Sequence, residues 1–395
     1  MPRKLRPESQ CVHGGGRDAS PYHAVVPPIY QSATFRLEQD NRPEATQGKG
    51  RHSVIYSRYT NPTLWHLEEQ LAALEGAESA LALSSGMAAL ASTVMALSRP
   101  GDWVAASKGG YGTTSHWLQH HAAATGREVH LLPNLEVETL DAAGLNGAGL
   151  VLAESIGNPL TQVNDLPALA QWARAKEAKL IVDATFASPV LHKPLELGAD
   201  LVVHSASKYL NGHSDVIAGC VAGSKALIDT VWDFARVQGC CLDPHAAWLL
   251  QRGIRSLSLR MERICSNSQR LAEFLERQDE VSSVAYPGLA SHPHHARAAA
   301  LLPKGAGGIL SFHLSGGDRR AGLFCRHLQW IQEATSLGGV ESLISAPWNT
   351  SHAGFETEER QAMGIGPGCL RLAVGIEHVE DLEQDLQQAL QASAY

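Results

Sequence analysis

The sequence predicts an α/β protein with a mostly parallel sheet, helices on both faces of that sheet, and a smaller α+β domain at the C-terminal end. Short apolar runs alternate with helical patterns between about residues 79 and 223, and this alternation is typical of parallel sheets. From about residue 245, long amphipathic helical patterns and isolated strand-like runs replace it. In parallel sheets ligands bind at the carboxyl ends of the strands, so polar residues there are candidates for a functional site.

The composition is that of an ordinary globular protein. The chain has 395 residues, of which 44% are hydrophobic and 18% are charged, which is enough for two or three core-bearing units. Its 32 basic and 40 acidic residues give a net charge of −8, and no basic block occurs. We therefore expect neither a nucleic acid nor an anionic membrane as a partner, and small-molecule chemistry is favoured.

Cysteine usage and the start of the chain indicate a cytoplasmic protein. The seven cysteines are odd in number and lack CxxC spacing, which argues against a disulfide framework or a zinc knuckle. The first residues, MPRKLRPESQ, have no apolar stretch like that of a signal peptide. No run of about 18 apolar residues occurs that could span a bilayer.

Changes of pattern along the chain divide it into three parts. Residues 1–61 are rich in Pro, Gly, Ser, Tyr and Arg and predict an extended arm. Asn61 can cap a helix, Pro62 suits its first position, and leucines at helical spacing continue to Gly76, so a helix is predicted over about 62–75. An α/β domain is predicted over 62–255 and an α+β domain over 256–395.

Within the α/β domain, seven apolar runs predict strands. They are SALALSS, DWVAAS, EVHLLP, GLVLAES, KLIVDA, DLVVHSAS and VIAGCVAG. A helix is predicted after GLVLAES, with Asp165 as its cap. In the C-terminal part, the stretch from 244 to 276 predicts one or two helices, GGILSFHL and GCLRLAVG predict strands, and VEDLEQDLQQALQA predicts a closing helix.

A lysine and an aspartate stand at the ends of two neighbouring predicted strands. Lys208 follows LVVHSAS, and Asp183 ends the run KLIVD. A pyridoxal phosphate enzyme needs an amine that bonds to the cofactor and a carboxylate that faces its pyridinium nitrogen, and this pair offers both. Alternatively, Lys208 is a surface lysine and Asp183 caps the next helix. Both alternatives must hold for the cofactor interpretation to fail.

Other polar residues of the predicted strand ends suit the same cofactor. The backbone N–H groups of Gly86 and Met87, at the start of a predicted helix, could bind a phosphate, and so could the hydroxyls of Ser205 and Ser207. In isolation, SSG before a helix is more typical of a simple helix cap, and Ser205 and Ser207 are equally typical of a turn. Tyr111 is flanked by glycines that leave its ring free to stack on a flat heterocycle.

Arg371, on the run CLRLAVG, could bind a carboxylate through both of its terminal nitrogens. A buried structural ion pair is the competing interpretation.

Ordered motifs along nearly the whole chain resemble one enzyme family. They are YSRYTNPT at 56–63, SSGMAA at 84–89, YGTT at 111–114, ESIGNP at 154–159, DATFASP at 183–189, SASKYLNGHSD at 205–215, DPHAAWLLQRGIRSLSLRMER at 243–263, SLGGVESLIS at 336–345 and LRLAVGIEHVEDL at 370–382. The chain is similar to the trans-sulfuration family of pyridoxal phosphate enzymes of cysteine and methionine metabolism. The resemblance implies the type I fold of PLP-dependent transferases, with a seven-stranded-type sheet in the PLP-binding domain.

The resemblance also implies roles for individual residues. Lys208 would bond covalently to pyridoxal 5'-phosphate and then shuttle protons, Asp183 would keep the pyridine nitrogen protonated, and Tyr111 would stack on the ring and assist the leaving group. The phosphate would be held by Gly86, Met87, Ser205 and Ser207, together with Tyr56 and Arg58 from the arm of a neighbouring subunit. Asn158, Ser336 and Arg371 would position the amino-acid substrate. A dimer with shared sites, and a homotetramer of paired dimers, are therefore expected.

The resemblance implies elimination or replacement at Cγ or Cβ of a sulfur amino acid, and it leaves the substrate open. SLGGVESLIS resembles cystathionine γ-synthase and cystathionine γ-lyase, which act on cystathionine-like or acylated homoserine substrates, but Thr335 stands where those enzymes usually have Glu. Thr113 stands where methionine γ-lyases carry Cys, which counts against a dedicated methionine-degrading enzyme. YSRYTNPT resembles the O-acylhomoserine sulfhydrylases. A cystathionine β-lyase and a cysteine or methionine C–S lyase are further alternatives.

Two other classes of protein compete with this interpretation. A metal hydrolase could use His292, His294 and His295 in SHPHHAR, but no carboxylate ligands occur at helical spacing, so a solvated His-rich turn is favoured and no metal is expected. A non-catalytic binding protein would be indicated by loss of Lys208 or Asp183, and both are present.

Overall fold

The protein is described by a computed structural model that covers residues 5–15, 23–37, 51 and 53–394. Residues 38–50 of the predicted N-terminal arm lie outside the described residues. The described strands form a seven-stranded sheet and a five-stranded sheet. The strands are β1 (Ser79–Leu83), β2 (Trp103–Ser107), β3 (Glu128–Leu132), β4 (Gly149–Glu154), β5 (Lys179–Asp183), β6 (Leu201–His204), β7 (Gly219–Gly223), β8 (Val281–Ala285), β9 (Ile309–Leu314), β10 (Gln332–Glu333), β11 (Leu343–Ser345) and β12 (Cys369–Ala373).

The larger sheet confirms the predicted α/β class. Its strand order is β1-β7-β6-β5-β4-β2-β3. Strands β2 to β6 pair in parallel, whereas β7 is antiparallel to both of its neighbours, β1 and β6. All seven apolar runs that predicted strands contain one of these strands, because nearly every residue of a strand covered on both faces is apolar.

Fourteen α-helices are described. They are α1 (Pro7–His13), α2 (Pro62–Glu75), α3 (Gly86–Leu97), α4 (Gly112–Trp117), α5 (Val137–Ala142), α6 (Leu166–Ala175), α7 (Ser188–Leu191), α8 (Lys225–Gln238), α9 (Pro244–Ile254), α10 (Leu257–Glu276), α11 (His295–Leu301), α12 (Gly317–His327), α13 (Thr357–Ala362) and α14 (Val379–Ala392). Separate apolar clusters on the two faces of the large sheet bury its side chains.

Helix α2 begins and ends where the sequence predicts. The Asn61 side chain accepts a hydrogen bond from the Thr63 amide, and Gly76 adopts a left-handed conformation with φ of 70°. Leu67, Leu71 and Leu74 are at most 1% exposed. The capping prediction for Asp165 is also confirmed, because its side chain accepts from the amide of Ala168 at the start of α6.

The smaller sheet has the order β10-β11-β12-β9-β8 and packs with α10, α12 and α14 around a cluster that contains Leu310, Phe312 and Leu386. The predicted strands GGILSFHL and GCLRLAVG and the closing helix are confirmed as β9, β12 and α14. The stretch from 244 to 276 forms two helices, α9 and α10. The sequence does not predict strands β8, β10 and β11. β8 carries exposed and half-buried side chains, and β10 and β11 are too short, at two and three residues, to show a pattern.

The turn predicted at SHPHHAR is present but only partly solvated. Residues 291–294 form a turn that leads into α11, and Ser291 and Pro293 are exposed, whereas His292 is 6% exposed. His294 accepts a hydrogen bond from the Val163 amide through Nδ1 at 3.0 Å. Tertiary packing against residues near 160 therefore removes one histidine of this turn from solvent.

Arg260 ties the segment after β6 to α10. It is 4% exposed and donates to the carbonyl of Tyr209 at 2.7 Å and to the carbonyl of Gly253 at 2.8 Å. Its Nε donates to the Ser256 hydroxyl at 3.1 Å. These bonds satisfy buried backbone acceptors directly beside Lys208 and hold that segment in place.

We expect Arg260→Leu to lower the free energy of unfolding by about 1–3 kcal/mol, because it leaves buried carbonyls without donors. Urea denaturation followed by circular dichroism measures the change. Arg263→Leu, at an exposed position of the same helix, is the matched control and should have little effect. Equal midpoints for the two variants would contradict this account of Arg260.

Candidate active site

One cavity of about 1180 Å³ opens at the carboxyl ends of the large-sheet strands. Eleven of the thirteen predicted site residues line it. They are Gly86, Met87, Tyr111, Asn158, Asp183, Ser205, Ser207, Lys208, Thr335, Ser336 and Arg371. The first eight come from the α/β part of the chain, and the last three come from the C-terminal part, so the cavity lies between the two sheets.

Lys208 follows β6 and extends into this cavity. Its Nζ donates a hydrogen bond to the Ser336 hydroxyl at 2.6 Å. Burial, together with the nearby Arg371 charge, lowers the pKa of the Lys208 amine. A lower pKa increases the fraction of neutral amine, which is the nucleophilic form. Ser336 holds φ of 82°, which is unusual for a residue with a side chain and is compatible with a functional constraint.

Asp183 ends β5, and a neighbouring threonine orients its carboxylate. Thr185 donates to Oδ1 of Asp183 from its backbone amide at 2.9 Å and from its hydroxyl at 2.5 Å. Burial raises the pKa of Asp183, and these two bonds act in the opposite direction by stabilising the charged form. The same Thr185 hydroxyl accepts from the Ser205 amide at 2.8 Å, which links the ends of β5 and β6.

The start of α3 provides a place for an anion. Gly86 is the first residue of this 12-residue helix, and the amides of the first turn have no acceptor within the helix. A Cβ at Gly86 would lie 2.7 Å from the Cβ of Ser205, so only glycine fits there. The Ser207 hydroxyl accepts from the Ala218 amide at 2.9 Å and makes a longer bond of 3.2 Å to the Ala218 carbonyl. Its proton can turn from that longer bond to a ligand.

Tyr111 lies at the N-terminal end of α4, with 41% of its surface exposed toward the cavity and the solvent. Its backbone amide donates to Oε1 of Glu154, at the end of β4, at 2.6 Å. The aromatic ring is therefore presented from a loop whose backbone is fixed to the large sheet.

Arg371, on β12, is 6% exposed and has no carboxylate partner among the described residues. It donates to Asn158 Oδ1 at 3.1 Å and to the Ser336 carbonyl at 2.9 Å, whereas its buried Nε makes no hydrogen bond. The alternative of a structural ion pair is therefore wrong within the described part of the chain. A buried guanidinium that lines the cavity without a carboxylate partner is suited to a ligand carboxylate.

Tyr56 and Arg58 do not line the cavity of Lys208 in a single chain. Arg58 donates to the carbonyl of Arg236 at 2.5 Å, and its guanidinium lies 4.7 Å from the centre of the Tyr59 ring. Tyr56 is 41% exposed. Within one chain these two residues form a separate surface site.

Sequence reasoning missed two residues of the site, Thr185 and Glu154. Glu154 had the same signal as Asp183, a carboxylate at the end of an apolar strand, and Thr185 had none beyond its closeness to Asp183.

No group of three or more potential metal ligands converges among the described residues. None of the helices in the described ranges is long and apolar enough to cross a bilayer.

The residues present fit pyridoxal phosphate. Lys208 offers an amine of lowered pKa, Asp183 an oriented carboxylate, and the Gly86 turn a space that a Cβ would fill. The Arg371 guanidinium lines the cavity without a carboxylate partner among the described residues and offers a site for the carboxylate of an amino acid. The carbonyl, ring nitrogen and phosphate of such a cofactor, and the carboxylate of its substrate, thus have matching partners in this one cavity.

Comparisons with known proteins agree with this geometry. A family model described as "Cys/Met metabolism PLP-dependent enzyme" matches residues 8–391. An L-methionine gamma-lyase of Pseudomonas putida is 42% identical over 388 residues, which cover 98% of this chain and 97% of that protein. A cystathionine beta-lyase of Lactococcus lactis subsp. cremoris is 39% identical over 385 residues, covering 97% and 98% respectively.

A solved structure gives the same result. The crystal structure of cystathionine gamma synthase from Xanthomonas oryzae pv. oryzae, in complex with aminoacrylate and cysteine, superposes with a TM-score of 0.92 at 36% identity and covers 99% of both chains. The predicted family, fold and cofactor are thereby confirmed: the chain belongs to the Cys/Met metabolism family of PLP-dependent enzymes.

Proposed function

We propose that this protein breaks or exchanges the bond between Cγ and its substituent in a four-carbon amino acid of sulfur metabolism. The observation that carries the proposal is the single cavity lined by Lys208, Asp183 and the Arg371 guanidinium, which has no carboxylate partner among the described residues. When pyridoxal phosphate is bound, it supplies an electron sink for the negative charge that develops at Cα of the substrate. The protein's own residues supply orientation and proton transfer.

The geometry supports cofactor binding by residues of the large sheet and binding of the substrate carboxylate by residues of the C-terminal part. From the large sheet, Asp183 would face the ring nitrogen, Tyr111 would stack on the ring, and the Gly86, Met87, Ser205 and Ser207 groups would bind the phosphate. From the C-terminal part, Arg371 would bind the α-carboxylate of the substrate beside Asn158. Lys208, on a flexible stem, would carry protons from Cα to neighbouring carbons. Between proton transfers its amine would donate a hydrogen bond to the Ser336 hydroxyl.

The identity of residue 335 favours a substituent without a second ammonium group. Thr335 lines the cavity and is neutral, and Val216, Ile217 and Leu337, which also line it, are apolar. The acidic Glu341 lines the cavity as well and accepts a hydrogen bond from the Ser214 hydroxyl. On the identity of residue 335 we favour methionine-like or acylated homoserine substrates over cystathionine, which carries a second ammonium group.

The relatives bear on both the substrate and the reaction. An L-methionine gamma-lyase is 42% identical, which favours methionine as a substrate, whereas Thr113, which lines the cavity, argues against an enzyme dedicated to methionine. Elimination at Cβ, as the name of the Lactococcus lactis relative implies for that protein, is the alternative reaction. The two reactions differ in the oxo acid produced, because γ-elimination leaves four carbons and β-elimination leaves three.

Assembly and location are part of the same proposal. The arm exposes apolar residues, among them Val25 at 93% and Val26 at 43%, and a two-fold partner would cover them. We propose a cytoplasmic homotetramer built from dimers, in which Tyr56 and Arg58 reach the phosphate of the neighbouring site.

We expect the purified protein to be yellow and Lys208→Ala to lose the absorbance of the covalent bond between lysine and cofactor and nearly all turnover, because the amine that forms this bond is gone. The assay supplies methionine, cysteine, cystathionine and acylated homoserines, and it measures 2-oxobutyrate, pyruvate, thiol and sulfide. Lys304→Ala, at an exposed position, is the control. A colourless wild-type protein that requires a metal would overturn the proposal.

We expect Thr335→Glu to improve turnover of cystathionine relative to uncharged sulfur substrates. A carboxylate there would accept a charge-assisted hydrogen bond from the distal ammonium, worth about 1–3 kcal/mol, or roughly 5- to 150-fold in the ratio of kcat/KM values. Thr335→Gln separates the effect of size from that of charge. An unchanged ratio in the Thr335→Glu variant would mean that residue 335 does not face the distal group.

We expect two inactive variants, Lys208→Ala and Arg58→Ala, to restore activity when they are refolded together. In a mixed two-fold dimer both lesions fall in one site and the other site is intact. Random reassortment makes about half of the dimers mixed, so roughly a quarter of wild-type activity should return. The control is each parent refolded alone. Mixed dimers that stay inactive would assign Arg58 to the site of its own chain.

A further inference from the structure

Glu154 is a carboxyl of the site to which the function proposed above gives no role. It ends β4 and pairs in register with Asp183, the last residue of β5. Its Oε1 accepts from the Tyr111 amide at 2.6 Å, and its Oε2 accepts from the Asn158 amide at 3.1 Å. One side chain thus holds the backbones of two separate loops that both line the cavity.

Each of these loops presents a different working group. The first carries the Tyr111 ring. The second carries Asn158, whose Oδ1 accepts from Arg371, the proposed carboxylate-binding residue. Glu154 is therefore the only described group that bonds to both loops through a single side chain. The ring-stacking and the substrate-binding parts of the site share one anchor.

The fit around this anchor is close. A Cβ at Gly110 would lie 2.8 Å from Oε1 of Glu154, so the loop approaches the carboxyl only because residue 110 is glycine. The Tyr111 loop also contacts the C-terminal part of the chain, where Lys108 forms an ion pair of 2.8 Å with Glu359. The loop is thus bonded to the large sheet through Glu154 and to α13 through Lys108.

Burial and the neighbouring Asp183 charge raise the pKa of Glu154 to about 8, and the two amide donors act in the opposite direction by stabilising the charged form. A side cavity of about 880 Å³ borders Glu154 and is lined by the charged or titratable groups of Lys108, Glu136, His294, Glu358 and Glu359. Glu154 also lines the main cavity together with Lys208 and Arg371.

We propose that Glu154 is a positioning residue that fixes the position of the stacking tyrosine relative to the carboxylate-binding Asn158–Arg371 pair. This inference deepens the function proposed above and rests on the roles given there to Tyr111 and Arg371. Loss of Glu154 would release both loops together, although neither loop would lose its own functional side chain.

The test begins with the apoprotein, so that it does not depend on activity. Hydrogen exchange measured by mass spectrometry should show faster exchange in peptides covering 108–113 and 155–160 of Glu154→Ala, because both amides lose their acceptor. Glu154→Gln keeps an oxygen for one amide but sets an NH₂ group against the other, so its exchange should be faster in one peptide only. Glu358→Ala, an exposed carboxylate that lines the same side cavity, should leave both peptides unchanged.

The loaded enzyme gives the second readout. Glu154→Ala should weaken the visible circular dichroism of the bound cofactor, through Tyr111, and raise KM, through Asn158 and Arg371, with kcat/KM lower by about 100-fold. Glu154→Gln should restore part of this loss, as a side chain that only stabilised the fold would not. Thermal unfolding confirms that each variant is folded.

The outcomes separate this inference from the proposed function. A yellow, active wild type whose Glu154→Ala variant has unchanged exchange, dichroism and KM would overturn the inference and leave the function standing. A colourless wild type would overturn the function. Faster exchange in only one of the two peptides of Glu154→Ala would refute the shared anchor.

Discussion

The parallel pairing of β4, β5 and β6 is the constraint on which the site depends. Strands that run in the same direction end at the same edge of a sheet, so Glu154, Asp183 and the Lys208 segment emerge side by side although they are far apart in the chain. Close packing on both faces of these strands fixes this edge, because sliding one strand by a residue would move each side chain to the opposite face, into a space shaped for a different residue. That register therefore sets the relative positions of the functional groups of the site.

The second sheet completes the site by supplying positive charge and a donor. Arg371 stands on β12, directly opposite Ser345 on β11, and the segment with Ser336 runs back toward Lys208. Burial opposes charge on Asp183, Glu154, Lys208 and Arg371 alike. An enclosed set of ionisable groups without internal neutralisation is suited to a charged ligand that brings the missing partners.

Much of the fold and most of the site were accessible from sequence because the residues responsible have strong local signals. Strands buried on both faces are uniformly apolar, and Asn61, Gly76 and Asp165 mark helix ends through their own backbone and side-chain chemistry. Short strands such as β10 and the helix beginning at His295 lack such signals, because they are held by their neighbours and not by their own composition. Substrate choice is equally hard to derive, since Thr113 argues against methionine while a methionine-cleaving relative is 42% identical.

The sequence by itself determined the family, the cofactor and the identity of the cavity residues, because Lys208, Asp183 and Arg371 occur in motifs whose chemistry is specific. Only the tertiary structure decided that Arg371 lacks a carboxylate partner among the described residues, that Thr185 aims the Asp183 carboxylate, and that Glu154 joins two loops. Hydrogen-bond partners distant in sequence leave no local pattern. They depend on how strand ends and loops meet in space, and that is set by packing across the whole chain.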